Sequence, residues 1–275
     1  MCDANIPHHV AGYRWGYRLL RCAHCGLLVT ELPANFDTAS IYTAEYFEGG
    51  GEAGKCAYES YRASKPILLK EFSRTVQRIR RFKPTGRLLE IGCAYGFFLE
   101  AASRYYQAVG IEVSEHAARI AQDSGFDVRI TCLEDAGFAD HSFDIVVMLD
   151  TIEHLPRPRR TLKEVFHILA PSGVVLITTG DVSSLHARIM GSRWRLLTPP
   201  QHVFFFSRYT LCKLLRGLGF NRCVVERPWK YVPVDLICYH ARKLYGVKLP
   251  CERTHHNFGI WINLFDTVRV IARKL

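Results

Sequence analysis

The chain has 275 residues, 48% of them hydrophobic and 23% charged, with 36 basic and 26 acidic side chains for a formal charge of +10. These proportions exclude collagen-like, low-complexity and disordered classes, and the length suits one α/β domain with an appendage. No apolar run approaches the roughly 18 residues of a membrane span, and the start carries no basic-then-apolar leader, so a cytoplasmic protein is expected.

Residues 1–55 read as an irregular segment containing a Cys-x-x-Cys pair and ending in the glycine-rich run 49–54. A helix is expected over 59–82, with Leu68, Phe72, Val76 and Ile79 on one face at helical spacing. Lys83-Pro84-Thr85-Gly86 stops it. From there strands and helices alternate: strand 87–91, helix 97–106, strand 108–112, a helix to 122 capped by Ser114, strand 127–130, strand 143–149 and helix 160–169. A Pro171-Ser172-Gly173 turn leads into strand 174–179; a helix over 211–218 and strands at 223–226 and 268–272 close the pattern. The alternation predicts an α/β fold, Rossmann-like, with a mostly parallel seven-stranded sheet flanked by helices across 56–275. Segment 182–208 fits no βα unit and reads as an insertion or lid over the ligand edge.

The most informative stretch is Glu90-Ile91-Gly92-Cys93-Ala94-Tyr95-Gly96. An apolar strand ends at an acidic residue, and a glycine turn opens a helix. Ligands of open α/β sheets sit at this end of the strands. Glu112 ends the next strand and can accept hydrogen bonds from both hydroxyls of a ribose. An NAD site wants G-x-G-x-x-G. Here the middle glycine is absent, and Glu90 would repel a pyrophosphate. A carboxylate suits a ligand bearing an ammonium and a sulfonium.

On these residues the chain resembles the class I S-adenosylmethionine-dependent methyltransferases. Phe143-Asp144 to Asp150 matches their fourth-strand motif, and Leu169-Ala170-Pro171-Ser172-Gly173 the turn before strand five. The resemblance implies that Glu90, Gly92, Cys93 and Gly96 border the methionine part of the cofactor. It implies that Glu112 holds the ribose, and that Cys132 and Leu133 border the adenine.

Asp150-Thr151-Ile152-Glu153-His154 follows strand four, and in a helical turn Asp150, Glu153 and His154 share a face. The cluster resembles the E-x-x-E-H motif of ubiquinone-biosynthesis O-methyltransferases and of small-RNA 3′-terminal 2′-O-methyltransferases. The RNA group adds a downstream histidine, and His202 matches it. The resemblance implies Asp150, His154 and His202 as catalytic residues. Two chemistries stay open: an imidazole taking a proton from an acceptor hydroxyl, or a divalent metal held by carboxylates and imidazoles. A purely structural His154 is the third reading.

Cys22-Ala23-His24-Cys25-Gly26 looks like one knuckle of a zinc ribbon. A structural zinc needs four ligands; upstream the sequence offers only Cys2, His8 and His9. With no leader pattern, Cys93, Cys132, Cys212, Cys223 and Cys238 read as reduced core thiols. Arg157, Arg159 and Arg160 lie where a phosphate would bind, and Trp194 suits a lid that packs onto the domain. The expected function is methyl transfer from S-adenosylmethionine to a small-molecule, saccharide or lipid-linked acceptor, on oxygen. The alternatives are a metal-dependent RNA 2′-O-methyltransferase and a non-catalytic cofactor-binding module. The basic charge favours acidic partners without choosing among nucleic acid, lipid heads and phosphorylated substrates.

Overall fold

The computed structural model describes residues 7–48, 61–234, 237–238 and 259–275. In chain order the elements begin with β1 (His8–Arg14), β2 (Tyr17–Cys22), β3 (Leu28–Thr30), the short helix α1 (Ala44–Glu48) and α2 (Lys65–Arg80). The alternating region holds β4 (Arg87–Ile91), α3 (Phe97–Ala102), β5 (Gln107–Glu112), α4 (Glu115–Asp123), β6 (Asp127–Ile130), β7 (Phe143–Leu149), α5 (Pro158–Ile168) and β8 (Leu169–Gly180). Then come α6 (Leu185–Met190), β9 (Phe204–Phe205), α7 (Arg208–Arg216), β10 (Phe220–Glu226), β11 (Lys230–Pro233), β12 (Gly259–Ile262) and β13 (Thr267–Lys274).

The central sheet has seven strands in the order β10-β13-β8-β7-β4-β5-β6. Strands β4 to β8 run parallel, and β13 lies antiparallel between β8 and β10. The parallel strands are apolar because helices cover both faces. Leu88, Leu89, Ile145 and Val146 are fully buried. On one face α5 and α7 pack Leu162, Val165, Leu211 and Leu215 against the sheet; on the other, α2 and α3 pack Val76, Ile79 and Phe98. The strand order reverses beside β4, so the ends of β4, β5 and β7 open one crevice. Ser114 caps α4 by accepting from the Ala117 amide, and Ser207 and Thr210 form a reciprocal cap on α7.

Three local departures from expectation have physical causes. The N-terminal segment is not irregular: β1, β2 and β3 form an antiparallel sheet completed by β9 of segment 182–208. Leu28 pairs with Phe205 in that sheet, a contact no local pattern reveals. Pro171-Ser172-Gly173 does not precede strand five but lies within β8 as an irregularity, Phe143 pairing Leu169 and Ile145 pairing Val174. Helix α3 stops at Ala102, with Ser103 carrying its hydroxyl back to Leu99 O at 2.6 Å. Residues 59–60 of the expected 59–82 helix and the whole 49–54 run lie outside the described residues; the described helix begins at Lys65.

Candidate active site

A cavity of about 950 Å³ opens over the carboxyl ends of β4, β5 and β7. Gly92 forms its floor in the left-handed region, with φ +75°. A Cβ there would stand 2.8 Å from Thr151 Cγ2, so both the turn and the close approach of the loop after β7 require glycine. Glu112 lines the cavity, its two oxygens accepting the Ala94 and Ser114 amides at 2.9 Å each. Its pKa is raised by burial, against the lowering effect of those amides. Glu90, next to the lining residues Ile91 and Gly92, is buried outside the cavity lining itself, with Oε2 unpartnered. Burial, and then the charge of Glu112, push the Glu90 carboxyl well up. A cationic ligand would relieve both penalties, since an opposite charge favours the ionised form.

The other side of the cavity is built after β7. Asp150 takes a left-handed conformation, φ +52°, and the chain then makes a short 3₁₀ turn, Ile152–His154. The turn is pinned from a distance. The Val203 amide donates to Glu153 O at 2.9 Å, and His154 Nδ1 sits 2.9 Å from Gln201 O. His202 Nδ1 lies 2.7 Å from Leu196 O. A carbonyl only accepts, so each Nδ1 carries the proton and each Nε2 keeps a lone pair. The two rings meet edge to face, 4.7 Å apart. Burial lowers the His154 pKa; burial and then neighbouring His154 hold His202 down at about 3. Both imidazoles are therefore neutral at physiological pH. Buried Glu153 is pushed up to about 8, by burial first and the Asp150 charge second. One ligand-capable atom each from Glu153, His154 and His202 lie within 4.8 Å of one another.

Residues 58–226 match a methyltransferase-domain family. The chain belongs to that family. The methyltransferase is 26% identical over 164 residues to an uncharacterised protein of Methanocaldococcus jannaschii, covering 60% of this chain and 77% of that one. It is 30% identical to the ubiquinone biosynthesis O-methyltransferase of Cereibacter sphaeroides, covering 49% of this chain and 60% of that one. With its Xanthomonas axonopodis counterpart the identity is also 30%, with 54% and 71% covered. The matched region spans 60–77% of the length of these relatives. Among solved structures, a Thermotoga maritima S-adenosylmethionine-dependent methyltransferase, described as a possible histamine N-methyltransferase, superposes with a TM-score of 0.58. It is 23% identical, with 87% of this chain and 100% of that chain covered. An Archaeoglobus fulgidus S-adenosylmethionine-dependent methyltransferase gives 0.56 at 20% identity, with 78% and 99% covered. These likenesses show a shared Rossmann-like methyltransferase fold.

Not every residue singled out in the sequence faces the cavity of the methyltransferase. Gly92, Glu112, Cys132 and Leu133 line it. Cys93 instead turns into the core, its Sγ filling the space where Gly110 lacks a side chain. Gly96 caps α3 with φ +76°, and a Cβ there would meet Phe126 at 2.7 Å, so this glycine serves helix packing. Cys132 donates to Asp135 Oδ2 at 3.0 Å, and Glu134 accepts the Thr161 hydroxyl. Asp150 also lines the cavity, and its charge acts on His154, while its carboxylate pairs with Lys230 at 2.7 Å. Glu153 stands with the two imidazoles, as its place on that face predicts. Arg157 and Arg160 line the cavity beside it.

Tyr42 belongs to the aromatic run 41–48, a segment expected to fold over the cofactor or substrate mouth, and it lines the cavity with Tyr46 and Phe47. It packs edge-on to His154 at 5.8 Å, and its main-chain oxygen accepts the Ser114 hydroxyl at 2.7 Å. Its own hydroxyl is buried without a partner, and burial raises its pKa. The sequence signal was the aromatic run 42–47 in a segment otherwise poor in apolar residues.

Cys22 and Cys25 form a tight turn, with the Gly26 amide on Cys22 O at 2.9 Å. Among the described residues the grouping of three metal-capable side chains is Glu153, His154 and His202, and neither cysteine joins it. His8 pairs with Cys22 across β1 and β2, while Cys2 lies outside the described residues. Cys93, Cys132, Cys212 and Cys223 are free thiols, whereas Cys238 is disulfide-bonded, contrary to its reading as a reduced core thiol.

Proposed function

We propose that the methyltransferase moves the methyl group of S-adenosylmethionine to a hydroxyl oxygen of a small-molecule, saccharide or lipid-linked acceptor. The observation that carries the oxygen assignment is the pair of neutral imidazoles, each with Nδ1 held by a carbonyl so that the lone pair falls on Nε2. A hydroxyl must lose its proton as it is methylated, and a lone pair held this way can take it.

The residues present fit the cofactor. Buried, unpartnered Glu90 suits a cationic amino acid head, Gly92 lets the ligand approach the backbone, and Glu112 retains lone pairs for ribose hydroxyls. Cys93 and Gly96 would then support this turn from behind, and Cys132 and Leu133 would border the base. S-adenosylmethionine supplies a methyl group already activated on a sulfonium, so the chain's task is alignment and proton removal. Tyr42 and the Ile152–His154 turn close over the cavity floor and limit water. His154 accepts the acceptor's proton at Nε2, and His202 beside it fixes the polar surroundings.

Glu153, His154 and His202 also form a donor set that suits a divalent cation, two imidazoles and one carboxylate. When bound there, such an ion would polarise an acceptor hydroxyl and lower its pKa, and Glu153 would be ionised. The deciding experiment is calorimetric titration with S-adenosylhomocysteine and, separately, NAD, with and without Mn²⁺ or Mg²⁺. Binding of S-adenosylhomocysteine and not of NAD is expected. Acceptors are then screened by release of S-adenosylhomocysteine, with EDTA separating the base reading from the metal reading. NAD binding with no S-adenosylhomocysteine binding would overturn the proposal.

A further inference from the structure

The methyltransferase places apolar side chains outside at positions where backbone chemistry disfavours them. Trp15 and Gly16 form the two-residue loop between β1 and β2, with φ +49° and +84°. Such loops select Asn, Asp or Gly, because other side chains are strained at positive φ. Trp15 occupies the position nonetheless and is 44% exposed. Phe265 repeats the pattern, with φ +56° and 59% exposure. Helix α6 presents Leu185 and Ile189, four residues apart and so on one face, at 71% and 73% exposure.

These side chains belong to one region. His186 Nδ1 on α6 donates to Asp266 Oδ2 at 3.0 Å, next to Phe265. Arg14 Nε donates to Leu197 O, tying the hairpin to the chain that follows α6. Trp15 lines the cavity, as do His186 next to Leu185 and Leu264 next to Phe265, so the apolar tips lie beside its mouth. The charges there are one-sided. Asp181 and Asp266 are buried, and Arg227 and Arg195 pair with them. Arg188 and Arg193 lie exposed beside Leu185 and Ile189.

Isolated exposed apolar residues need no explanation. Two strained aromatic tips and an aliphatic pair around one opening do. Protruding apolar side chains with interspersed arginines suit an interface of acyl chains and anionic headgroups. Single-stranded RNA would instead call for flat aromatic platforms along a basic groove, and Leu185 and Ile189 offer none. We propose that this face of the methyltransferase docks on an anionic lipid surface, with the cavity mouth turned to the membrane. The inference goes beyond the acceptor reading, and it is read by binding without turnover, so failure of either is separately visible.

The test is co-sedimentation of the full chain with vesicles of phosphatidylcholine alone and of phosphatidylcholine with phosphatidylglycerol. Sedimentation with the anionic vesicles only is expected. Leu185→Asp/Ile189→Asp should weaken it by about tenfold or more, since charged groups are expelled from the interface. Phe265→Gly relieves backbone strain, so it should keep the fold while weakening binding. Unchanged affinity for S-adenosylhomocysteine in both variants verifies folding. Failure of the wild-type chain to bind anionic vesicles would overturn the proposal. So would full binding by both variants, or retention on single-stranded RNA in place of vesicles.

Discussion

Glu112 offers the sharpest test of the cofactor assignment, because its structural and ligand roles separate. In the free protein its carboxylate accepts two backbone amides, from Ala94 and Ser114. Glu112→Ala orphans both, at about 1–3 kcal/mol each, a large share of the roughly 5–15 kcal/mol that hold a domain together. Glu112→Gln is the better probe: its amide oxygen keeps one of the two, at a smaller stability loss. A ribose donating both hydroxyls to the carboxylate gains about 1.5–3 kcal/mol per charge-assisted bond. Losing one such bond should weaken S-adenosylhomocysteine by roughly tenfold to a hundredfold, at 1.4 kcal/mol per tenfold. The assay pairs calorimetry with thermal melting, so that only variant still folded at the titration temperature is scored. A folded Glu112→Gln protein that binds S-adenosylhomocysteine within about twofold of wild type would make Glu112 a structural residue and refute the ribose assignment.

Tyr42→Phe removes a buried hydroxyl that has no protein partner. Its melting temperature should hold or rise, since an unpaired buried hydroxyl destabilises by about 1–3 kcal/mol, while turnover should fall; a lower melting temperature would reveal an internal partner instead. His202 gives a pH signature, measured in EDTA so that no cation competes. The unfolded chain takes a proton near pH 6.5, whereas the folded chain refuses it down to about 3. Stability is thus fully present above about pH 6.5 and falls below it, by up to about 1.4 kcal/mol per pH unit. His202→Gln should flatten that acid slope, and an unchanged slope would mean the ring is protonated in the fold. Zinc at Cys22 and Cys25 rests on the knuckle sequence, and elemental analysis should find about one zinc per chain that Cys25→Ser removes. Zinc at wild-type level in that variant, or none in the native protein, would end the idea.

What the sequence revealed follows from what is local. The parallel strands β4, β7 and β8 are largely buried on both faces, so they read as short apolar runs whatever lies around them. The Glu90–Gly96 turn and Glu112 carry their chemistry within single motifs. The N-terminal sheet was invisible for the opposite reason. Most of β1 is exposed, which erases the alternation that marks a strand, and the sheet is closed by β9 from far along the chain. Asp150 lines the cavity, but its pairing with Lys230 was not legible, because the 3₁₀ turn after it and the distant β11 set where its carboxylate goes. The aromatic run around Tyr42 was legible as a segment over the mouth, but its partners, Ser114 and His154, are joined to it only by the fold.

The N-terminal segment is more than an appendage to the catalytic fold, and Thr30 shows why. At the end of β3 its amide donates to Val203 O at 2.8 Å, and its hydroxyl to His202 O at 2.7 Å. Val203 in turn donates to Glu153 O, and Gln201 O receives His154 Nδ1. A chain of hydrogen bonds thus runs from β3 through the 201–203 strand entry to both imidazoles. Ser114 closes a second tie, from the N-cap of α4 to Tyr42. The half-site Cys22-x-x-Cys25 lies at the base of β2 and β3, so whatever stabilises that turn also holds the register of Thr30. Any loosening there should reach His202 before it reaches Glu90 or Glu112, and turnover should suffer ahead of cofactor affinity.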